Sequence, residues 1–200
     1  MLFTFEGIDG CGKSTQIKLL AEYLITTGKK VLTLREPGGT ELAEKIRNLL
    51  LNKSNHVSPL TELLLFEASR SDLVENVIKP ALSNNDYVLI DRFYDSTLAY
   101  QGYGRGIQIE KIKFCQEIAT NDIKPDLTFF LDIPLEISVA RCKDKNLDRM
   151  ELAGNIFFDK VSQGFREIAK KEPDRIISID GTLSEDAIFS VIKNKVNSLK

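Results

Sequence analysis

Five short apolar segments recur along the 200 residues of the chain, and stretches with helical spacing separate them. The segments cover residues 2–5, 31–34, 87–90, 127–131 and 176–179. Each is four or five residues long, is rich in β-branched or aromatic residues and is mostly unalternated, which is typical of strands buried on both faces. Because strands alternate with helices, we expect an α/β fold with a five-stranded, mainly parallel sheet flanked by helices.

Helix signals occupy the stretches between these segments. Apolar residues recur at three- and four-residue spacing between positions 17 and 24, and Gly28 then supplies a stop. Ser58 and Pro59 suit the N-cap and first position of another helix. Residues 152–168 predict a further amphipathic helix. No repeat, low-complexity tract or linker divides the chain, so residues 1–200 are interpreted as one domain.

Composition argues against several functional classes. The net charge of −2 offers no excess of cations for a nucleic-acid backbone. No apolar stretch approaches the roughly 18 residues of a membrane span, and the first residues carry no secretory signal. Three cysteines without a C-x-x-C pair favour a reducing cytoplasm over a disulfide framework or zinc site. The single histidine, His56, lies in a polar stretch and is interpreted as a surface residue.

A glycine-rich segment follows the first predicted strand and precedes the first predicted helix. Residues 7–14, GIDGCGKS, match the phosphate-binding pattern G-x-x-x-x-G-K-[ST]. Its glycines let the backbone wrap around phosphate oxygens, and Lys13 adds a full positive charge to the helix N-terminus. The hydroxyl of Ser14 is the expected magnesium ligand. The alternative interpretation is a glycine-rich turn that caps a helix.

A second group of polar residues follows the strand at residues 87–90. Asp91 comes where phosphate-loop proteins hold magnesium from a neighbouring strand, although it could also simply cap the strand. Arg92 follows, and Arg35, Arg47 and Arg70 could converge with it at the same sheet edge. Arginine suits bidentate phosphate recognition, so the set of four predicts an anion-binding site.

Phe66 and Arg70 are four residues apart on one predicted helix, the spacing at which an aromatic ring and a guanidinium meet. Such a pair could stack on a planar base and donate to its edge, whereas Phe66 could equally belong to the core. No N-K-x-D base-reading motif occurs, which weakens the interpretation as a GTPase switch.

Together the motifs resemble those of bacterial thymidylate kinases. The matching segments are FEGIDGCGKST (5–15), REPGGT (35–40), LLLFEASR (63–70), DRFYDSTLAYQG (91–102), LDRME (147–151) and ISIDGT (177–182). The resemblance implies a nucleoside monophosphate kinase fold of the P-loop class. It also implies phosphoryl transfer from ATP to dTMP with magnesium, giving dTDP for dTTP synthesis in the cytoplasm, and a homodimer. The implied partners are dTMP, ATP and a second copy of the chain, with no nucleic acid and no membrane.

The same resemblance implies roles for individual residues. The ATP phosphates would contact Gly7, Ile8, Asp9, Gly10, Cys11, Gly12, Lys13, Ser14 and Thr15. The nucleotide dTMP would contact Glu36, Arg47, Phe66, Arg70, Arg92, Ser96, Thr97, Tyr100 and Gln101. Magnesium would be held by Ser14 and Asp91. The catalytic residues would be Asp9, Lys13, Arg92, Arg141 and Arg149.

Within the dTMP site, the resemblance implies that Arg92 clamps the phosphate and that Asp9 meets the 3′-hydroxyl. Phe66 would stack on thymine and Arg70 would donate to its O4. Thr97 or Ser96, together with Gln101, would approach the N3 edge of the base. The ring of Tyr100 would leave no room for a ribose 2′-hydroxyl.

The lid is expected at about residues 141–150. Residues 142–147, CKDKNL, are polar and charged, and both a solvated turn and a mobile lid fit them. The expected lid as a whole carries Arg141, Lys143, Lys145 and Arg149, and Gly10 stands where some family members place a P-loop arginine. A lysine cannot reproduce a bidentate fork, so Arg149 is the preferred catalytic cation and Arg141 the second choice.

Two other functions stay open at this point. A deoxynucleoside kinase would need a carboxylate base beside an uncharged acceptor hydroxyl, and Arg92 facing an acceptor phosphate argues against it. A slow nucleotide switch would signal through a partner, and the absence of base-reading and switch motifs argues against that.

Overall fold

The structure is a computed structural model that describes residues 1–143 and 148–199. The centre of the expected lid, including Lys145, lies outside the described residues. No helix of the described part is both long and apolar enough to cross a membrane.

Five parallel strands form one sheet in the order β2-β3-β1-β4-β5. Their bounds are β1 Leu2–Glu6, β2 Val31–Arg35, β3 Tyr87–Asp91, β4 Leu127–Asp132 and β5 Ile176–Asp180. The predicted parallel α/β fold is therefore confirmed. Each strand extends one residue beyond its predicted end and closes on a charged side chain, because backbone pairing continues past the last apolar residue.

Nine α-helices are found in the described part of the chain. They are α1 Lys13–Thr26, α2 Glu41–Leu51, α3 Pro59–Leu73, α4 Lys79–Asn84, α5 Tyr94–Thr97, α6 Ile109–Thr120, α7 Leu135–Cys142, α8 Asn155–Lys171 and α9 Glu185–Asn197. A π-helical turn, Val74–Ile78, joins α3 to α4, and a second, Leu98–Gly104, follows α5. Ser58 caps α3 by accepting a hydrogen bond from the Thr61 amide, as the Ser-Pro pair predicts.

The helix predicted over residues 152–168 begins later than expected. Residues Glu151–Ala153 form a 3-10 turn, and α8 starts at Asn155. Gly154 separates the two with a φ of 87°, a conformation that interrupts a right-handed helix. The apolar spacing continues across this break, so periodicity alone could not reveal it.

The core surrounds the central strands. Every residue of β1 is buried, and the main apolar cluster includes Phe3, Phe5, Phe129 and Phe130. A smaller apolar cluster includes Val88 and Phe93. The strand order reverses at β1, because β3 and β2 follow on one side of it and β4 and β5 follow on the other. In α/β proteins, ligands bind outside the carboxyl ends of the strands at such a reversal point.

Candidate active site

A cavity of about 540 Å³ opens at the carboxyl ends of β1 and β3. The sequence-predicted residues that line it are Asp9, Gly10, Cys11, Gly12, Lys13, Ser14, Thr15, Glu36, Arg47, Phe66, Arg70, Asp91, Arg92, Ser96, Thr97, Tyr100, Gln101 and Arg141. Arg35 also lines the cavity, so all four arginines that were expected to converge do so. Three predicted residues are not part of its wall: Gly7, Ile8 and Arg149.

The phosphate loop requires glycine at its first position. Gly7 has a φ of 135°, and a Cβ atom there would lie 2.6 Å from the Leu131 carbonyl oxygen of β4. The strand neighbouring β1 therefore leaves no room for a side chain. Gly12, with a φ of 99°, turns the chain into α1 and directs that helix N-terminus at the cavity.

Lys13 is folded back into the loop that precedes it. Its Nζ donates hydrogen bonds to the carbonyl oxygens of Gly7 at 3.1 Å and Ile8 at 3.2 Å, and the side chain is buried. A positive charge thus lies at the centre of the loop and lines the cavity.

Two oxygen groups meet where α1 begins and β3 ends. The Ser14 hydroxyl donates to Asp91 Oδ2 at 3.0 Å. Hard oxygen atoms suit Mg²⁺, which uses one or two protein ligands together with water and substrate phosphates. Among residues 1–143 and 148–199, no group of three or more His, Cys, Asp or Glu side chains could hold a metal. The pair fits a magnesium ion shared with a nucleotide better than a closed protein cage.

Arg92 joins the end of β3 to the phosphate loop. Its backbone has a φ of 66°, which is rare for a residue with a side chain. Nη1 donates to the Gly7 carbonyl oxygen at 2.8 Å, and Nη2 donates to Asp9 Oδ1 at 2.8 Å. The guanidinium also lies 5.3 Å from the centre of the Tyr100 ring. These contacts fix one cationic fork at the cavity wall.

A second, buried cation also lines the cavity. Arg70 is 2% exposed and donates to Glu36 Oε2 at 2.9 Å, Glu67 Oε1 at 2.8 Å and Thr97 Oγ1 at 2.9 Å. Burial raises the pKa of Glu36 to about 7, although Arg70 opposes the shift. Phe66, one helical turn earlier, is half-buried and lines the cavity rather than joining the core.

Glu6 supports the turn that carries Arg92, a role that its local sequence alone does not reveal. Its buried carboxyl group accepts from the Phe93 amide at 2.7 Å and from the Ser96 hydroxyl at 2.5 Å. Burial, together with the nearby charge of Asp95, raises the pKa of Glu6 to about 8. The one sequence signal for this role is that an acidic residue directly follows the apolar residues of a predicted buried strand.

The two arginines proposed for the lid lie in different places. Arg141 lines the cavity and donates to the carbonyl oxygens of Gly10 at 3.0 Å and Gly181 at 3.3 Å. Arg149 instead donates from Nε to the Leu50 carbonyl oxygen at 2.6 Å and pairs with Glu62 at 2.7 Å. The structure therefore does not bring the preferred cation to the cavity, because a buried carboxylate of α3 holds it elsewhere.

The family model for thymidylate kinase matches residues 5–192 of the chain. The chain belongs to the thymidylate kinase family. The thymidylate kinase of Thermosipho africanus is 51% identical, over 98% of this chain and 97% of that relative. The thymidylate kinase of Prosthecochloris aestuarii is 49% identical, over 99% of this chain and 93% of the relative.

A solved structure gives the same family assignment. The crystal structure of thymidylate kinase from Ehrlichia chaffeensis matches with a TM-score of 0.80 and 38% identity, and the match covers 98% of each chain. The resemblance inferred from the motifs is thus confirmed at the level of family and fold.

Proposed function

We propose that the chain transfers the γ-phosphoryl group of ATP to dTMP, giving ADP and dTDP for dTTP synthesis. One observation carries this proposal: the phosphate loop with Lys13 and the guanidinium of Arg92 line the same cavity. A donor phosphate and an acceptor phosphate could therefore be held side by side.

On the donor side, the loop amides, the α1 N-terminus and Lys13 would hold the ATP phosphates. Thr15 follows at the start of the same helix. Ser14 and Asp91 would hold magnesium, which when bound supplies positive charge to the β- and γ-phosphates. Their 3.0 Å contact supports that role because it already brings both oxygen groups together.

On the acceptor side, Arg92 would clamp the dTMP phosphate and Asp9 would accept from the sugar 3′-hydroxyl. Their hydrogen bond supports the pairing of these roles, since it holds the carboxylate beside the cation. Phe66 would stack on thymine, and Arg70 would donate to O4. The remaining contacts with dTMP would come from Glu36, Arg47, Ser96, Thr97, Tyr100 and Gln101.

Chemistry at this site needs little or no general base, because the acceptor is already an anion. Catalysis then consists of positioning and of charge neutralisation in the transition state. We assign the cation that stabilises the transferred phosphoryl group to Arg141, because it lines the cavity while Arg149 is bound to Glu62. The proposal also includes a single domain with a lid at about residues 141–150. The location proposed for the protein is the cytoplasm.

We also propose a homodimer. Helices α2 and α6 both pack against α3, and α3 and α6 expose large apolar side chains to solvent. Leu60, Leu64, Phe114 and Ile118 are each more than half exposed. Apolar clusters of this kind usually mark contact surfaces. Sedimentation should give twice the mass of the chain, and Phe114→Glu should shift it towards one chain; a monomeric wild-type protein would remove this part of the proposal.

The reaction is tested by coupled measurement of ADP release with four conditions: dTMP, thymidine, dUMP and no acceptor. We expect rapid turnover with dTMP and only background release with thymidine or without acceptor. Turnover with thymidine but not with dTMP would replace the proposal with a deoxynucleoside kinase. Equal slow hydrolysis in all four conditions would indicate a nucleotide switch.

A further inference from the structure

A buried carboxylate lies behind the cavity wall at the start of α3. Glu62 is 0% exposed and is not among the cavity residues. It accepts from Arg105 at 3.0 Å, from Arg149 at 2.7 Å and from the side-chain amide of Gln101 at 2.9 Å. Two cations and one amide therefore share a single carboxyl group.

The hydrogen-bond partners of Glu62 keep its carboxylate ionised. Burial by itself would raise the pKa of Glu62, but hydrogen bonds from Arg105, Gln101 and Arg149 outweigh burial and lower the pKa. An ionised carboxylate only accepts hydrogen bonds. Whatever part of Gln101 faces Glu62 must therefore be the NH₂ group.

The consequence for Gln101 follows from the chemistry of an amide. Its side chain is 1% exposed and lines the cavity, and Nε2 is committed to Glu62. A primary amide has one donor end and one acceptor end. With the donor end held behind the wall, Oε1 is the end that remains for a ligand.

We propose that Glu62 is a positioning residue for base specificity, which fixes Gln101 so that it offers an acceptor, never a donor, to the pyrimidine. Thymine and uracil carry a hydrogen on N3, whereas cytosine carries a lone pair there. An acceptor at this position binds the first two bases and leaves two lone pairs facing each other with cytosine. The inference rests on the proposed function, since it requires dTMP to bind beside Gln101.

The variant Glu62→Gln distinguishes this role from a purely structural one. Nη2 of Arg105 and Nη2 of Arg149 both donate to Oε2 of Glu62, the oxygen that faces away from Gln101, and would claim the single amide oxygen of the new side chain. Its NH₂ group would then face Gln101, which must turn round to present Oε1 to it. Nε2 of Gln101 would be offered to the ligand, and that polarity suits the N3 of cytosine.

The experiment measures kcat and KM for dTMP, dUMP and dCMP with ATP. Glu62→Gln should lower kcat/KM for dTMP mainly through KM, raise it for dCMP, and so reduce the dTMP-to-dCMP ratio at least roughly tenfold. The dTMP-to-dUMP ratio should stay constant because both bases carry the N3 hydrogen. The KM for ATP should also stay constant.

Two further variants separate the acceptor role from ion pairing. Arg105→Met removes a cation from Glu62 and leaves the carboxylate, so it should lower stability without changing the dTMP-to-dCMP ratio. Gln101→Met should itself reduce the ratio, and adding Glu62→Gln to it should change the ratio no further. If Glu62→Gln does not fold, Glu62→Asp replaces it, because it keeps the charge but withdraws the carboxylate by one bond, about 1.5 Å.

An unchanged dTMP-to-dCMP ratio in Glu62→Gln or Glu62→Asp would overturn the inference, as would an equal loss of kcat/KM for all three acceptors. So would additive effects of Glu62→Gln and Gln101→Met on the ratio. Failure of the wild-type protein to phosphorylate dTMP is a different result, because it would overturn the proposed function itself.

Discussion

Nη2 of Arg92 donates a 2.8 Å hydrogen bond to Oδ1 of Asp9, and this contact joins the end of β3 to the loop after β1. The two residues are 83 positions apart in the chain. Parallel pairing of β1 with β3, which sets Phe5 opposite Asp91, brings them together. The sheet therefore positions the Arg92 cation directly against the phosphate loop.

Replacement of Arg92 by lysine keeps the charge but removes the fork that bonds Gly7 and Asp9 at once. We expect Arg92→Lys to raise the KM for dTMP at least roughly tenfold and to lower kcat, with little change in the KM for ATP. Steady-state kinetics with each substrate varied in turn measures this. Arg166→Lys is the matched control, because Arg166 pairs with Asp132 outside the cavity; equal effects of both variants would contradict the assignment.

The two lid arginines should respond differently to alanine substitution. Arg141→Ala should lower kcat at least roughly tenfold, since removal of a transition-state cation typically costs that much or more. Arg149→Ala should instead lower Tm by about 3–6 °C, because Glu62 loses one of its cations. Single-turnover kinetics and thermal unfolding measure the two effects. A loss of kcat in Arg149→Ala with unchanged Tm would return the catalytic role to Arg149.

Removal of divalent cations should abolish phosphoryl transfer, and magnesium should restore it. Asp91→Asn keeps the shape of the side chain but loses its charge, so the magnesium concentration for half-maximal rate should rise at least roughly tenfold. Titration of magnesium into chelator-treated enzyme measures this. Asp159→Asn, a change at an exposed position of α8, should behave as the wild-type protein does. Full activity of the wild-type protein in excess chelator would contradict the magnesium site.

Stability should fall with rising pH because of Glu6. Its pKa is about 8 in the folded protein against a reference value of 4.5, so the folded state keeps a proton that the unfolded chain releases. Its contribution to the free energy of unfolding is full below pH 4.5 and is lost as the pH rises towards 8. Glu36, with a pKa of about 7, adds to the same trend.

Glu6→Gln removes one titrating group while it keeps the shape of the protonated side chain. The slope of unfolding free energy against pH should become flatter between pH 5 and pH 8, by up to about 1.4 kcal/mol per pH unit. Urea denaturation at several pH values measures the slope. Identical slopes for Glu6→Gln and the wild-type protein would show that Glu6 is ionised throughout.

Most of the fold and most of the cavity residues could be predicted from local sequence patterns. Short apolar runs identify strands because both faces of a parallel sheet are buried, and the phosphate-loop motif is continuous in sequence. The local sequence pattern left open whether Phe66 belongs to the core or to the cavity. Its place one helical turn before Arg70 explains why it lines the cavity. These features depend on neighbours a few residues away.

Features that depend on distant partners could not be predicted in the same way. Arg149 has the right residue type and sits in the right motif, but its direction is decided by Glu62, 87 positions earlier. Glu6 takes its function from the Phe93 amide, 87 positions later. No local pattern encodes such pairs, because the fold must form before the two groups meet.

The most direct test of phosphoryl transfer follows the transferred group itself. Incubation of the protein with magnesium, dTMP and ATP labelled at the γ-phosphate should place the label in the β-phosphate of dTDP, with one dTDP formed for each ADP. Label found only in inorganic phosphate, or transferred to thymidine but not to dTMP, would contradict the account.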